Sequence, residues 1–338
     1  MKSYPSDASG RLDSSPTSDE EAPLAQLSVH NLVWPILLSL VAFGAIAWFT
    51  YEPNMIREMW ERLNPLPLVA ALLMVVGRVF FGSLRLYLMS HKHMPVRETI
   101  RGQLAWDFAS NVTPSAVGGA PIAAMFVCRE SDMQVGEATA VFLFAMVLDQ
   151  IFLASTIPVL MFSSVYIGVY PEALGFFGSK LLTLFFIGML SWIGLLIYAT
   201  LVRPDMLEKI AHILFKLPGL RRFQSYVEEE MVMLQDRSAL LRSESLGFFM
   251  GGYVLTALMW ICRFAVLVFV LWSVYDLLPH LQVLLRTAAM MLSSLVVLTP
   301  GASGGIEGLY ALFIAPLIPT VLVAPTLLTW RLLNYYLF

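Results

Sequence analysis

The chain has 338 residues, of which 58% are hydrophobic and 13% charged, with a formal net charge of −3. A soluble domain is about half apolar and about a quarter charged, so this chain has too few polar side chains to cover itself in water. The composition excludes a soluble enzyme, a nucleic-acid binder and a disordered protein, and makes a lipid bilayer the expected solvent.

Residues 1–30 set Lys2 and Arg11 against Asp7, Asp13, Asp19, Glu20 and Glu21, which accounts for the whole net charge. This Ser- and Pro-rich stretch is predicted to be a disordered, acidic cytoplasmic tail. A signal peptide would be basic here. The rest, 31–338, reads as a single transmembrane domain. Apolar runs of about twenty residues are predicted to span the membrane. They fall at Leu32–Tyr51, Leu66–Ser90, Glu137 to about Val165 with Pro158 as a point of bending, Leu181–Val202, Leu246–Tyr275 and about Thr320–Phe338. Cys128 and Cys262 lie in apolar sequence and read as reduced packing residues.

Two further apolar segments, Gly102–Val127 and Leu284–Ala315, are broken in the middle by NVTPSAVGGAP (Asn111–Pro121) and VLTPGASGGIEG (Val297–Gly308). Proline removes a backbone donor and glycine favours a turn, so each segment is expected to fold back as a re-entrant helical hairpin; two kinked spans are the alternative. The polar segment 203–245 carries Leu207, Ile210, Leu214 and Leu217 at helical spacing and reads as an interfacial amphipathic helix on the cytoplasmic side. With six crossings, the segments at 91–101, 128–136 and 203–245 share one side and hold eleven Lys and Arg, against four on the other. That asymmetry puts the first set and both termini in the cytoplasm of a cell inner membrane.

The two broken segments resemble each other. TPSAVGGA (Thr113–Ala120) and TPGASGGI (Thr299–Ile306) match at five of eight positions. Arg101 and Arg286 precede the two prolines by 13 and 14 residues, and Arg78 and Arg263 precede them by 36 and 37. One unit therefore appears twice, at about 66–165 and about 246–338, offset by about 185 residues. Three crossings separate the copies, so they have opposite orientation, the inverted-repeat plan of many transporters. The expected fold is an all-α integral membrane protein with about six spanning helices and two re-entrant hairpins in an inverted repeat. The hairpin tips, Pro114, Gly118 and Gly119 in one and Pro300, Gly301, Gly304 and Gly305 in the other, would meet near the midplane. Helix N-termini there would offer unpaired N–H groups to an anion.

Charges inside the spans sharpen this expectation. Arg78, Arg263, Arg331, Asp149 and Glu307 lie in apolar sequence, where an ion costs at least roughly 2.5–3.5 kcal/mol on insertion scales. They must face partners or a polar cavity. One reading pairs Arg78 and Arg263 with Asp149 and Glu307 to fix the helices. The other has the arginines hold an anionic head group, with Asp149, Glu307 and Arg331 as balancing charges. Arg85 would snorkel to the interface, and Asp107 and Asn111 would satisfy hairpin backbone. The sequence carries no metal-ligand cluster, no phosphate-binding GxxxxGK[ST] loop and no buried Ser-His-Asp set, so neither a cofactor nor a catalytic residue is expected.

The ordered pair of PSAVGG and LTPGASGGIEG resembles the flippase-like family that includes the transmembrane region of lysylphosphatidylglycerol synthases, over roughly Leu32–Phe338. The resemblance implies translocation or handling of an anionic or aminoacylated membrane lipid and carries over Pro114, Gly118, Gly119, Pro300, Gly301, Gly304, Gly305, Glu307, Asp149 and Arg331. The chain departs from the family pattern after the first Gly-Gly, where Ala120-Pro121-Ile122-Ala123 has no charge, and before Asp149, where no Arg stands. The competing expectations are a non-catalytic membrane scaffold for a lipid- or hopanoid-synthesis enzyme, which would then be a partner, and a polyprenyl- or glycerol-phosphate transferase.

Overall fold

The computed structural model describes residues 29–53, 55–112, 119–130, 135–197, 245–297 and 299–337. The acidic tail up to residue 28, the first hairpin tip at 113–118 with Pro114 and Gly118, and the amphipathic segment at 203–244 lie outside the described residues. Among the described residues the secondary structure is helical throughout. The helices are α1 (Val29–Phe49), α2 (Met55–Arg62), α3 (Pro65–Met89), α4 (Val96–Val112), α5 (Gly119–Glu130), α6 (Val135–Ile167), α7 (Gly175–Ile197), α8 (Leu246–Trp272), α9 (His280–Ser294), α10 (Gly305–Phe313) and α11 (Thr320–Arg331), followed by a π-helical turn at Leu332–Tyr336.

Four helical stretches are long and apolar enough to cross a membrane: Pro65–Met89, Ala138–Ile167, Glu172–Ser191 and Leu246–Trp272. They overlap the second to fifth expected spans; the stretch Glu172–Ser191 begins before the expected Leu181–Val202, whose last residues lie outside the described residues. Helix α6 continues through Pro158 without a break. The last expected span is different in kind. Helix α11 has only 12 residues, and Val321–Ala324, Thr326, Leu327, Trp330 and Arg331 on it are buried. It is a core element, packed against α1, α2 and α8.

Helix α3 shows how the bilayer selects the faces. Ala71, Val75, Arg78, Gly82, Arg85, Leu86 and Met89 recur every three to four residues and are buried. Leu66, Leu73, Val76 and Phe80, on the other side, are exposed. Apolar residues thus coat the outside while arginines point inward, the reverse of a helix in water.

Helices α3 and α8 form the most extensive interface in the fold, and they run antiparallel. A Cβ on Gly77 would lie 3.1 Å from Cys262 Sγ, and one on Gly251 would lie 3.2 Å from Leu88 Cδ2. At one end Asn64 N–H donates to the Ser273 carbonyl (2.6 Å), and at the other His91 stacks on Phe248 at 5.1 Å. Arg78 and Arg263 therefore stand at the same level of this crossing. Small residues at the contact let the backbones approach, as membrane helix pairs require.

The broken segments fold as helix pairs. Helices α4 and α5 pack on each other, as do α9 and α10. The turn into α10 needs left-handed backbone at Gly301 (φ 57°), Ala302 (φ 52°) and Gly304 (φ 85°); the two glycines adopt it without steric cost, and Ala302 does so at a cost of about 1–2 kcal/mol. A Cβ on Gly301 would also sit 3.0 Å from the Asn111 carbonyl oxygen. The second tip thus abuts the last turn of α4, and only a residue without a side chain fits this closely.

Candidate functional site

Three buried ion pairs organise the interior. Arg78, 1% exposed, places Nη2 2.7 Å from Asp107 Oδ1, and its Nη1 donates to the carbonyl (3.1 Å) and side-chain oxygen (2.8 Å) of Asn334. Arg85 donates from Nη1 to Asp149 Oδ1 at 2.5 Å and to the Ala145 carbonyl and Thr256 Oγ1, and lies over the Trp106 ring. Arg331 pairs through Nη2 with Glu307 Oε1 at 2.7 Å and donates to the Gly301 carbonyl and Ser303 Oγ.

Sequence pattern explains the last pair locally. Glu307 is the third residue of α10, so its Oε2 accepts the Gly304 N–H at 2.8 Å and caps the helix. The N-terminus of this half-helix was expected to offer free N–H groups to a bound anion. Instead the chain's own carboxylate caps it, and Arg331 neutralises that carboxylate. Arg331 in turn stacks over Tyr335 at 4.4 Å. The Gly-Gly-Ile-Glu motif, Arg331 and the π-turn form one closed unit.

These partners correct the pairing expected from sequence. Neither Arg78 nor Arg263 pairs with Asp149 or Glu307 in an ion pair among the described residues; Asp149 belongs to Arg85, and Glu307 to Arg331. Arg85 does not snorkel. It is 1% exposed, because seven residues after Arg78 it faces the same interior, where Asp149 and the Trp106 ring meet it. Asp107 serves Arg78 and also accepts from Gln103 Nε2 at 3.3 Å. Asn111 donates to the Tyr335 carbonyl at 2.9 Å, so it joins α4 to the π-turn and does not cap its own hairpin.

A cavity of ≈ 130 Å³ lies between these elements, lined by polar residues together with apolar ones such as Met146, Met259 and Met291. Its walls come from both helix pairs and both central helices: Arg85 from α3; Gln103, Trp106, Asp107, Ser110 and Asn111 from α4; Asp149 and Gln150 from α6; Trp260 and Arg263 from α8; Ser294 from α9; Thr299, Gly301 and Ala302 from the second tip; and Tyr335 from the π-turn. By the ~10–15 Å³ that one water needs, it has room for a small polar group. Of the five charged residues singled out from sequence, Arg263 and Asp149 line it. Arg78, Arg331 and Glu307 stand buried behind its wall.

Arg263 is the exception to the pairing rule. Among the described residues it makes no ion pair, its buried Nε has no hydrogen-bond acceptor, and its guanidinium lies 5.2 Å above the Trp260 ring. Trp260 donates Nε1–H to Asp149 Oδ1 at 2.8 Å, which ties the tryptophan, Asp149 and Arg85 into one rigid assembly. With Asp149 neutralised by Arg85 and Asp107 by Arg78, Arg263 leaves the cavity one positive charge in excess. Trp260, three residues before Arg263 on the same helix, carried no signal in the sequence beyond that spacing. The described residues contain no cluster of His, Cys, Asp and Glu able to hold a metal.

Residues 36–338 match the family described as lysylphosphatidylglycerol synthase TM region, and the chain belongs to that family. It is also 24% identical over 314 residues to a UPF0104 membrane protein of Archaeoglobus fulgidus, an alignment that covers 89% of this chain and 92% of the relative. Family and apolar helices together make it a membrane protein.

Proposed function

We propose that this member of the lysylphosphatidylglycerol synthase TM family binds and translocates a membrane lipid with an anionic head group, and that Arg263 is its head-group contact. One observation carries the reading: a cavity at the crossing of α3 and α8 holds an arginine that no carboxylate among the described residues neutralises. An unmatched ion in a membrane interior is costly, and a ligand phosphate would offset that cost. The antiparallel central helices, each followed by a helix pair that reaches the same cavity, support an inverted repeat with re-entrant hairpins around a midplane site. Six crossings, with both termini cytoplasmic and the chain in the inner membrane, complete the proposed topology. Lipid movement would be downhill or ion-coupled, since the sequence has no nucleotide-binding loop. The protein acts as a translocator and not as an enzyme.

The test is translocation in liposomes. Purified protein is reconstituted with head-group-labelled phosphatidylglycerol or phosphatidylcholine, and a membrane-impermeant quencher reports which molecules change leaflet. Phosphatidylglycerol should move faster than phosphatidylcholine, and Arg263→Met should abolish the difference in protein that still folds. Equal rates for the two lipids, or full activity in Arg263→Met, would refute the site. A well-folded protein that moves neither lipid would point instead to a scaffold for a lipid-synthesis enzyme.

A further inference from the structure

Among the described residues the apolar interior falls into two clusters. The smaller joins Leu86 and Met89 of α3, Trp106 of α4, Val127 of α5 and Leu148 of α6, with Phe249 of α8 packed onto it. The larger takes in Val75 of α3, Phe152 and Ile157 of α6, Phe264 of α8 and apolar residues of α9 to α11. Helices α3, α6 and α8 pass from one cluster to the other.

Each of the three has a weak point at the passage. On α3, Gly82 and Ser83 stand between Val75 and Leu86, and Ser83 Oγ donates to the Val79 carbonyl at 2.7 Å, a side-chain bond that competes with the helix ladder and lets it bend. On α8, Gly251 and Gly252 fall between Phe249 and Tyr253, the first α8 residue against the larger cluster; glycine is the poorest helix former after proline. On α6, the buried residues of the smaller cluster end at Leu148 and those of the larger begin at Phe152. There Ser155 and Thr156 both donate their hydroxyls to the Phe152 carbonyl, at 2.7 and 2.9 Å, and Pro158 offers the Ala154 carbonyl no N–H. The passages adjoin in space: a Cβ on Gly252 would lie 2.8 Å from Leu148 Cδ1 and 2.9 Å from Met89 Cε.

The cavity follows the same boundary. Trp106, Asp107 and Asn111 on its wall stand on the side of the smaller cluster, and Arg263, Met291 and Tyr335 on that of the larger. The polar ties across it include Arg78 to Asp107 at 2.7 Å, Trp260 Nε1–H to Asp149 at 2.8 Å and Asn111 Nδ2–H to the Tyr335 carbonyl at 2.9 Å. Close-packed clusters resist deformation, so displacement concentrates at the few positions between them that can absorb it.

We infer that α4, α5 and the adjoining ends of α3, α6 and α8 swing as one body against the rest of the protein, on hinges at Gly82–Ser83, Phe152–Pro158 and Gly251–Gly252, and that the swing widens and closes the cavity. The swing belongs to the fold whatever ligand the cavity takes.

The experiment measures distances between pairs of spin labels in the full chain, reconstituted in liposomes, with Cys128→Ala and Cys262→Ala. Labels are carried at the exposed positions Phe126→Cys, Leu246→Cys, Leu281→Cys and Leu328→Cys, in proteins whose melting matches that of the unlabelled chain. The pair 126/246 lies within the smaller body and 281/328 within the larger; both should give one narrow distance. The pair 126/281 crosses the boundary and should give a second population displaced by roughly 5 Å or more. Asn111→Ala cuts one tie and should enlarge that population. Ser83→Ala with Pro158→Ala removes weak points from two hinges, and should abolish the second population while leaving Tm unchanged or higher, since alanine replaces a proline inside a helix. The inference is overturned if 126/281 is as narrow as the internal pairs in both the unaltered protein and Asn111→Ala, if the internal pairs spread as widely as 126/281, or if the stiffened variant keeps both populations. The distances are read without a transport substrate, so the swing can fail while translocation stands, and translocation can fail while the swing stands.

Discussion

Arg78 and Arg263 occupy matching places in the two repeats, so exchanging each for methionine separates a structural arginine from a functional one. Arg78→Met removes a 2.7 Å ion pair and two hydrogen bonds. It strands Asp107, 6% exposed, and Asn334, fully buried. Breaking a buried pair from one side costs about 3–5 kcal/mol, which for a chain of this size corresponds to a fall of roughly 5–10 °C in Tm. Among the described residues Arg263→Met loses the contact with the Trp260 ring, worth about 0.5–2 kcal/mol, and relieves an ion that no described carboxylate pairs with. The two effects oppose each other, so Tm should stay within about 2 °C. The assay is thermal unfolding in one detergent at one scan rate, followed by tryptophan fluorescence and checked by loss of the monodisperse peak; a fixed scan rate matters where unfolding is irreversible. Adding Asp107→Asn to Arg78→Met should return part of the lost stability, because the stranded charge is gone. The reasoning is refuted if Arg263→Met falls as far as Arg78→Met, or if Arg78→Met melts like the unaltered protein.

The second hairpin offers two further predictions. Glu307→Gln keeps an oxygen for the Gly304 N–H but weakens the pair with Arg331, whereas Glu307→Ala loses both; melting temperatures should fall in that order, with Glu307→Ala costing about 3–5 kcal/mol. Gly301→Ala puts a Cβ on a left-handed residue, 3.0 Å from the Asn111 carbonyl, and should cost at least about 1–2 kcal/mol. Its control is Gly308→Ala, where a Cβ meets nothing within 4 Å; in a helix it should be neutral or add up to about 1 kcal/mol. Equal melting of the two alanine variants would mean that the tip does not depend on its contact with α4.

Much of the architecture could be read from the residues because bilayer and helix impose simple constraints. Long apolar runs located the four long apolar helices, and Pro-Gly clusters located the two broken segments. That the last segment is buried, and not lipid-facing as a lone apolar run suggests, was not legible because buried core and lipid-facing helix have the same apolar composition. Val321–Ala324 are apolar for packing, not for contact with lipid. Pairing was misjudged for a related reason. Sequence says which charges lie at membrane depth but not which face they share. Arg85 shows the difference, since it was expected to snorkel to the interface and instead meets Asp149 in the interior. The half-helix N-terminus was expected to bind an outside anion, but Glu307 lies one turn away and reaches it first.

The feature on which the proposed function turns was nonetheless written in the repeat. The offset of 185 residues that relates Arg78 to Arg263 also relates Arg101 to Arg286, and the two prolines are 186 apart. At either offset Asp107, which neutralises Arg78, corresponds to Leu292 or Ser293, and neither can neutralise Arg263. The same offset of 185 carries Asp149 onto Asn334, so the residue that receives Arg78 in the second repeat is an amide where the first repeat has a carboxylate. That carboxylate is committed to Arg85, whose counterpart at this offset is Val270. The two copies have kept the central arginine and diverged in what surrounds it. One copy closes its arginine with acid and amide to hold the fold. The other supplies no acid among its described residues to its own arginine, which lies on the cavity wall. Under the proposed function the two matching residues divide the labour: Arg78 stabilises the crossing, and Arg263, which no carboxylate among the described residues neutralises, meets the charge of the ligand.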